Sequence, residues 1–561
     1  MSNPTYQDPW RPKQYPTQSW EEQLMRNNSE LPLESEERLP KLPQSIKAVK
    51  DSGVPPSGRT LVICLDGTGD KFDNDNSNVV NFVACLKKDD PSQVTYYQSG
   101  IGTYDGHGLK SGFSAAVDMA VGSGLGIHIK DAYRFLMENY HEGDKICLLG
   151  FSRGAYTVRC LAGMLHKVGL LPAHNSAQVS FAYQFYKNDT PEGWKMSEEF
   201  KKTFCTNVQV YFIGVWDCVA SVGFIPRELP FSKSSTGSIH YFRHAMALDE
   251  HRAKFQVLHW QNQHHDGHAK DNAKKNRPHG ETNQKSGSRP TKPERRSSTP
   301  ASHLKKIDQK NTQRRLEAKF EHDEQNVNDI VTDVVEVWFA GCHADVGGGA
   351  VSNDVRHMLS RIPLRWMIRQ CFECNTGILF STVALAESGL DVHTLWPIYK
   401  LRKRPVVGPS PNMVEQYEAG TLPPLRRRST ALQMGQDKAE KVRGEFNELS
   451  YSDVFDEDEK AISAFDLLPE QVEDHFDAMA PINDQLEVAK GWWVLEFWPV
   501  KLHIQKKPGV WEKVVGFNRG RYRSVRQANP KIHWTVQMRM SDTAYKIRNK
   551  VDTRAVWHIA T

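Results

Sequence analysis

Three side chains needed for nucleophilic catalysis occur in this chain in settings that could bring them together: Ser152, Asp217 and His343. A serine hydroxyl is a weak nucleophile until an adjacent base removes its proton. Ser152 lies in Gly150-Phe-Ser-Arg-Gly154, a G-x-S-x-G pattern. Its logic is steric, since a nucleophile on a sharp strand-to-helix turn has a strained backbone, and glycines two positions to either side let the two elements pass closely. The apolar run Ile146–Leu149 predicts the strand, and Ala155, Val158, Leu161, Ala162 and Leu165 recur at helical spacing. Such a turn raises the hydroxyl above the sheet edge at a helix N-terminus, whose free N–H groups favour a developing oxyanion. A glycine-lined turn with a helix-capping serine fits the same residues.

Asp217 directly follows the apolar run Val208–Trp216, the place of a carboxylate fixed by a strand end, although a turn or capping aspartate fits there too. His343 stands in Gly341-Cys-His-Ala-Asp-Val-Gly-Gly-Gly349, just past the strand Val334–Ala340. A lone histidine is more often structural. The chain order Ser…Asp…His, however, is the one used by α/β-hydrolases. Asp345, two residues past His343, competes as the acid; the expectation is that it instead hydrogen-bonds the backbone of Gly347 and Gly348. A glycine-rich loop, Asp66-Gly67-Thr68-Gly69-Asp70, follows the first core strand, Arg59–Leu65. Together with the N–H of Arg153 it could hold an oxyanion; a phosphate-binding or structural turn is the alternative, without the Gly-Lys-Ser/Thr ending of a P-loop.

These residues need a scaffold, and the order of elements predicts one. Strand, helix (Asn78–Leu86), strand (Gln93–Gln98), helix (Ile127–Tyr140), then the serine strand and helix imply an α/β fold: a doubly wound, mostly parallel sheet. The glycine-dense stretch 99–126 is expected as a loop over the site, and Asn175–Lys202 as helix. Tyr241–Phe255 reads as a helix carrying exposed or packing histidines, His244 and His251. Leu359–Cys371 and the region near Val383 read as helices. Residues 1–58 read as a disordered or loosely docked leader, 59–395 as the catalytic domain interrupted by a disordered insert (264–324), 396–487 as a flexible or helical excursion, and 488–561 as a segment packing on the domain. Its aromatic run Gly491-Trp-Trp-Val-Leu-Glu-Phe-Trp498 has two readings, a strand packed on the body or a peripheral membrane contact.

Composition narrows the class. Hydrophobic residues make up 39% of the 561, and mean hydropathy is -0.59, so the deficit falls on polar tails and inserts rather than the core. A net charge of +5, from 72 basic against 67 acidic residues, is too mild for a nucleic-acid protein. Nine scattered cysteines suit buried thiols in a reducing compartment, and Cys371-x-x-Cys374 has no second pair at zinc spacing. No apolar run reaches a membrane span and no signal peptide is evident, which makes the cytoplasm the expected location.

The opening strand with Asp66-Gly-Thr, Gly150-Phe-Ser-Arg-Gly-Ala155, Gly214-Val-Trp-Asp217 and Gly341–Gly349 together resemble an α/β-hydrolase family of largely unknown function. Its best understood relatives are catalytic domains of bacterial type VI secretion phospholipase effectors; the Gly491–Trp498 run is similar to fungal members. The resemblance covers about residues 59–395. It implies a Ser152–His343–Asp217 triad cleaving a carboxylic ester, with a lipid or phospholipid among the candidate substrates and no metal or organic cofactor. Ala344 stands where the family favours serine and Cys218 where threonine is common. A catalytically idle scaffold and a phosphate-ester hydrolase built on Asp66 and a metal are the competing functions.

Overall fold

The computed structural model describes residues 42–53, 58–100, 124–219, 229–233, 237–261, 312–321, 330–402, 409, 411–419 and 470–561. Eight strands form one sheet: β1 (Thr60–Leu65), β2 (Gln93–Gln98), β3 (Lys145–Phe151), β4 (Val210–Trp216), β5 (Ile239–Ala247), β6 (Asp333–Phe339), β7 (Lys531–His533) and β8 (His558–Ala560). Their spatial order is β2-β1-β3-β4-β5-β6-β7-β8, and every pairing is parallel. The chain runs from β1 to β2 in one direction and from β3 onward in the other. Between the carboxyl ends of β1 and β3 it therefore leaves a switch-point crevice, where open α/β sheets bind their ligands.

Both faces of the sheet are covered, which is why its strands are apolar runs rather than alternating ones. Val62, Cys64, Cys147, Leu149 and Phe212 pack on one face with helices α1 (Asn78–Cys85) and α5 (Arg361–Glu373). Leu61, Ile63, Leu65, Ile146 and Leu148 pack on the other with α2 (Leu125–Asn139) and α3 (Ser152–Val168). In the chain the short helix α4 (His343–Gly347) falls between β6 and α5. All nine cysteines are free thiols, eight of them buried.

The structure departs from some expectations and decides between the alternatives in others. The stretch read as a helix from Tyr241 is strand β5, central in the sheet, and of its two readings as exposed or packing His244 takes the second, being fully buried. The end of the leader is docked: Ser45–Lys47 pairs antiparallel with Leu379–Ser381, burying Ile46 and Ala48. The excursion closes with a buried helix, α6 (Glu470–Met479), whose four carboxylates face arginines. Glu473 meets Arg356 and Arg361, Asp474 and Asp477 meet Arg365, and Glu470 meets Arg369 and Arg402. Residues 312–321 of the expected insert are helical, with Glu321 against His166 at 2.7 Å. The run at Trp492 is a pair of short helical turns, not a strand. The remainder of the leader, residues 101–123 of the stretch expected as a loop, residues 262–311 and 322–329, which take in the rest of the expected insert, and 420–469 lie outside the described residues. Among the described residues no helix is long and apolar enough to cross a membrane.

Candidate active site

Strand β3 ends at Phe151 and α3 begins at Ser152, whose φ of 56° puts it in the left-handed region. A β-carbon on Gly150 would lie 2.8 Å from the backbone of Gly154 and Ala155, and one on Gly154 would lie 2.2 Å from the carbonyl oxygen of Leu65. Only glycine permits that approach, and the approach holds the serine over the sheet edge.

Ser152 Oγ lies 2.7 Å from His343 Nε2, and His343 Nδ1 lies 2.5 Å from Asp217 Oδ2. Asp217 follows the last residue of β4, His343 opens α4 after β6, and all three side chains are buried. The His343 ring is held between Phe151 and Phe255, with centroids at 4.7 and 4.8 Å. Its backbone N–H donates to Glu250 Oε2 at 3.2 Å.

The electrostatics set the tautomer. Burial alone would raise the Asp217 carboxyl, but the Arg523 guanidinium and His343 hold it well below the usual carboxylate range. An ionised carboxylate can only accept, so His343 Nδ1 carries the proton and Nε2 is left to accept from the Ser152 hydroxyl. Burial lowers the His343 pKa despite the Asp217 charge, which keeps the imidazole neutral at neutral pH.

Arg523 has no local sequence signal that would have picked it out. It forms a two-pronged pair with Asp217, Nη1 to Oδ1 at 2.6 Å and Nη2 to Oδ2 at 2.8 Å. Its other donors go to the carbonyls of Ala247 and Phe255, so all five N–H groups are used. Ala247 N–H also donates to Asp217 Oδ1 at 2.9 Å. His244, named in the sequence without a link to the site, has one: its Nε2 accepts from the Cys218 N–H at 3.1 Å while Nδ1 donates to Glu336 at 3.0 Å, fixing the backbone just beyond Asp217.

The remaining candidates fall as follows. Asp66 is spent inside its loop, accepting from Ser77 Oγ, Tyr97 Oη and the Gly67 N–H. Burial raises its carboxyl to about 6. Gly67 N–H serves Asp66 and Asp70 N–H serves the Gly67 carbonyl, so the loop's remaining N–H groups are those of Thr68 and Gly69; Thr68 Oγ1 is buried with no hydrogen-bond partner among the described residues. The Asp70 side chain lies so close to Gly67 that a β-carbon there would meet it at 2.1 Å. Arg153 is buried, and burial lowers its guanidinium to about 10. Asp345 does not bond Gly347 or Gly348; it accepts from the Cys342 N–H, the Asn483 N–H and Asn483 Nδ2 at 2.8, 3.0 and 2.6 Å. One donor belongs to the histidine loop itself and two to Asn483, so Asp345 ties that loop to a segment distant in sequence. Away from the crevice, His357, Glu473 and Asp477 lie close enough to share a metal ion, but arginines already neutralise both carboxylates.

The model of a family described as type VI secretion system phospholipase effector Tle1-like, catalytic domain, matches residues 59–370, more than half of the chain. An uncharacterised protein of Saccharomyces cerevisiae, YEL023C, is 26% identical over 596 residues, covering 90% of this chain and 82% of that protein. Among solved structures, an uncharacterised Pseudomonas aeruginosa protein gives a TM-score of 0.30 at 14% identity, over 57% of this chain and 46% of the other. The Tle1 effector bound to the VgrG spike of the type VI secretion system gives 0.20 at 18% identity, over 36% and 48%. The chain thus spans about half the length of these solved chains.

Proposed function

Because the chain belongs to the family of Tle1-like phospholipase effector catalytic domains, we propose that it is a serine hydrolase that cleaves a carboxylic ester, with a phospholipid as its substrate class. The observation that carries this reading is the unbroken line Asp217–His343–Ser152 at the switch-point crevice, with separations of 2.5 and 2.7 Å. In the proposed reaction His343 Nε2 takes the Ser152 proton as Oγ attacks the ester carbonyl. Asp217 holds the tautomer and stabilises the imidazolium, which then protonates the departing alcohol. The N–H groups of Arg153 and Thr68 receive the carbonyl oxygen as it becomes an oxyanion. Water, activated by His343 in the same way, releases the acid. None of these steps calls for a metal or organic cofactor.

A fluorophosphonate probe tests the reading directly. Labelling at Ser152, lost on heat denaturation, together with hydrolysis of a phospholipid or short-chain ester panel, is the expected result. Native protein that neither labels nor hydrolyses any ester refutes it.

Arg523 supplies a second expectation. Removing its charge leaves Asp217 uncompensated, which favours the imidazolium and raises the His343 pKa. The rate depends on neutral His343, so the acidic limb of the pH–rate profile moves to higher pH in Arg523→Met and returns toward wild type in Arg523→Lys. Breaking a buried pair also costs about 3–5 kcal/mol of stability. A profile unmoved in folded Arg523→Met would show that the arginine serves the fold alone.

A further inference from the structure

The segment Lys490–Arg521 lies beyond the residues matched by the family model, and its polarity is inverted. Its carboxylate Glu496 is 1% exposed, whereas the neighbouring Val494, Phe497 and Trp498 are 57%, 58% and 46% exposed. Glu496 is held inward because it accepts from the Ala253 N–H, Asn518 Nδ2 and the Gly520 N–H at 2.5, 2.6 and 2.9 Å. The exposed apolar side chains are therefore fixed in place by buried hydrogen bonds rather than displayed on a loose end. The hairpin that follows, Pro499–Lys507 with Val510–Phe517, extends the patch. Phe517 pairs opposite Pro499, next to Trp498, and exposed Val515 shares its face, two residues away.

Charge identifies the occupant. Lys501 stands opposite Val515, Lys513 lies two residues before it, and the Arg519 guanidinium lies over the Phe517 ring; all three are exposed, as are Lys490, Lys507 and Arg521 elsewhere in the segment. Of the segment's two glutamates, one is the buried Glu496 and the other, Glu512, pairs with Lys506 at 3.3 Å. Tryptophan and phenylalanine ringed by lysine and arginine match the interface of an anionic bilayer, where aromatic rings enter the headgroup boundary and cations meet lipid phosphate. We propose that this face docks the protein on an anionic lipid surface. The patch is joined to the crevice by packed rings. Trp492 lies against Phe255 with centroids 5.5 Å apart, Phe255 lies against His343, and the Arg252 guanidinium covers both Phe255 and Trp492. Docking would set the catalytic histidine beside the membrane, a purpose that rests on the lipid-esterase reading, although the binding itself does not.

The test is flotation of the full chain with phosphatidylcholine vesicles, with and without phosphatidylserine. Wild type is expected to bind, more strongly with phosphatidylserine. Phe497→Ser/Phe517→Ser and Lys501→Glu/Arg521→Glu are each expected to lower partitioning about tenfold or more. Both pairs are exposed, so melting temperature and hydrolysis of a soluble ester should stay at wild-type values. Ser152→Ala should bind vesicles like wild type, which separates docking from catalysis. Failure of the wild type to bind, or variants that bind as well as it does, overturns the proposal. So does loss in these variants of a self-association seen by sedimentation without any vesicle binding, which would assign the patch to a second copy of the chain.

Discussion

Ser152→Ala is expected to lose roughly six orders of magnitude in kcat, since removing the nucleophile of a coupled triad costs about as much as removing all of it. What should remain is the roughly 10³–10⁴-fold advantage over water that binding and the oxyanion donors supply alone. The fold should be spared. The deleted hydroxyl makes one hydrogen bond, to His343 Nε2 at 2.7 Å, worth about 1 kcal/mol. Alanine also inherits the φ of 56° without a larger side chain to place. The neighbouring glycines behave in the opposite way: Gly154→Ala puts a methyl group onto the Leu65 carbonyl and should prevent the elbow from forming. The measurement is turnover of an ester that the wild type accepts, read beside the melting temperature. Wild-type turnover in Ser152→Ala would reject the serine as nucleophile, whatever its geometry.

The parts of this site visible in the sequence were those whose physical cause is local. A strand buried on both faces must be an uninterrupted apolar run, and a strand-to-helix turn this tight must carry glycine, so β1, β3, β4 and the elbow could all be read from a few consecutive residues. What escaped depends on partners far along the chain. Strand β5 resembled an amphipathic helix because Arg243 and His244 look like a solvent face. Both are buried, Arg243 by Asp333 and Gln370 and His244 by Glu336. Helix α6 repeats Glu470, Glu473, Asp474 and Asp477 at helical spacing, the pattern of a hydrated stripe, yet that stripe faces five arginines. The periodicity was readable; the sign of the environment was not. Arg523 is the extreme case. It lies 306 residues from Asp217, in a run where Arg519 and Arg521 are exposed, and nothing within the run separates the three.

Arg523 also changes what should be expected of the triad acid. Asp217→Asn should lower kcat by roughly 10⁴-fold, because an amide can donate to His343 Nδ1 and so stabilise the tautomer that points a proton at the serine. In this chain the same change strips the counter-charge from a buried guanidinium, adding about 3–5 kcal/mol of destabilisation to the catalytic loss. The double variant Asp217→Asn/Arg523→Met separates the two effects: removing both charges should recover much of the stability and none of the activity. Asp345→Asn is the counter-test, since Asp345 is the rival acid two residues from His343. Its two oxygens receive three donors, from Cys342 and Asn483, and an amide would turn a donor toward a donor, at about 1–3 kcal/mol. Its effect should fall on stability, with turnover reduced only as far as the histidine loop loosens. The sign with pH follows from burial, which raises the folded carboxyl to about 6. Asp345 therefore favours the folded state fully below its unfolded pKa of about 3.9, and that contribution is lost as pH rises through about 6, so the wild type's advantage over Asp345→Asn should narrow between about pH 4 and pH 6 and change little above it. A large, purely catalytic loss in Asp345→Asn, with Asp217→Asn still turning over, would exchange the two roles.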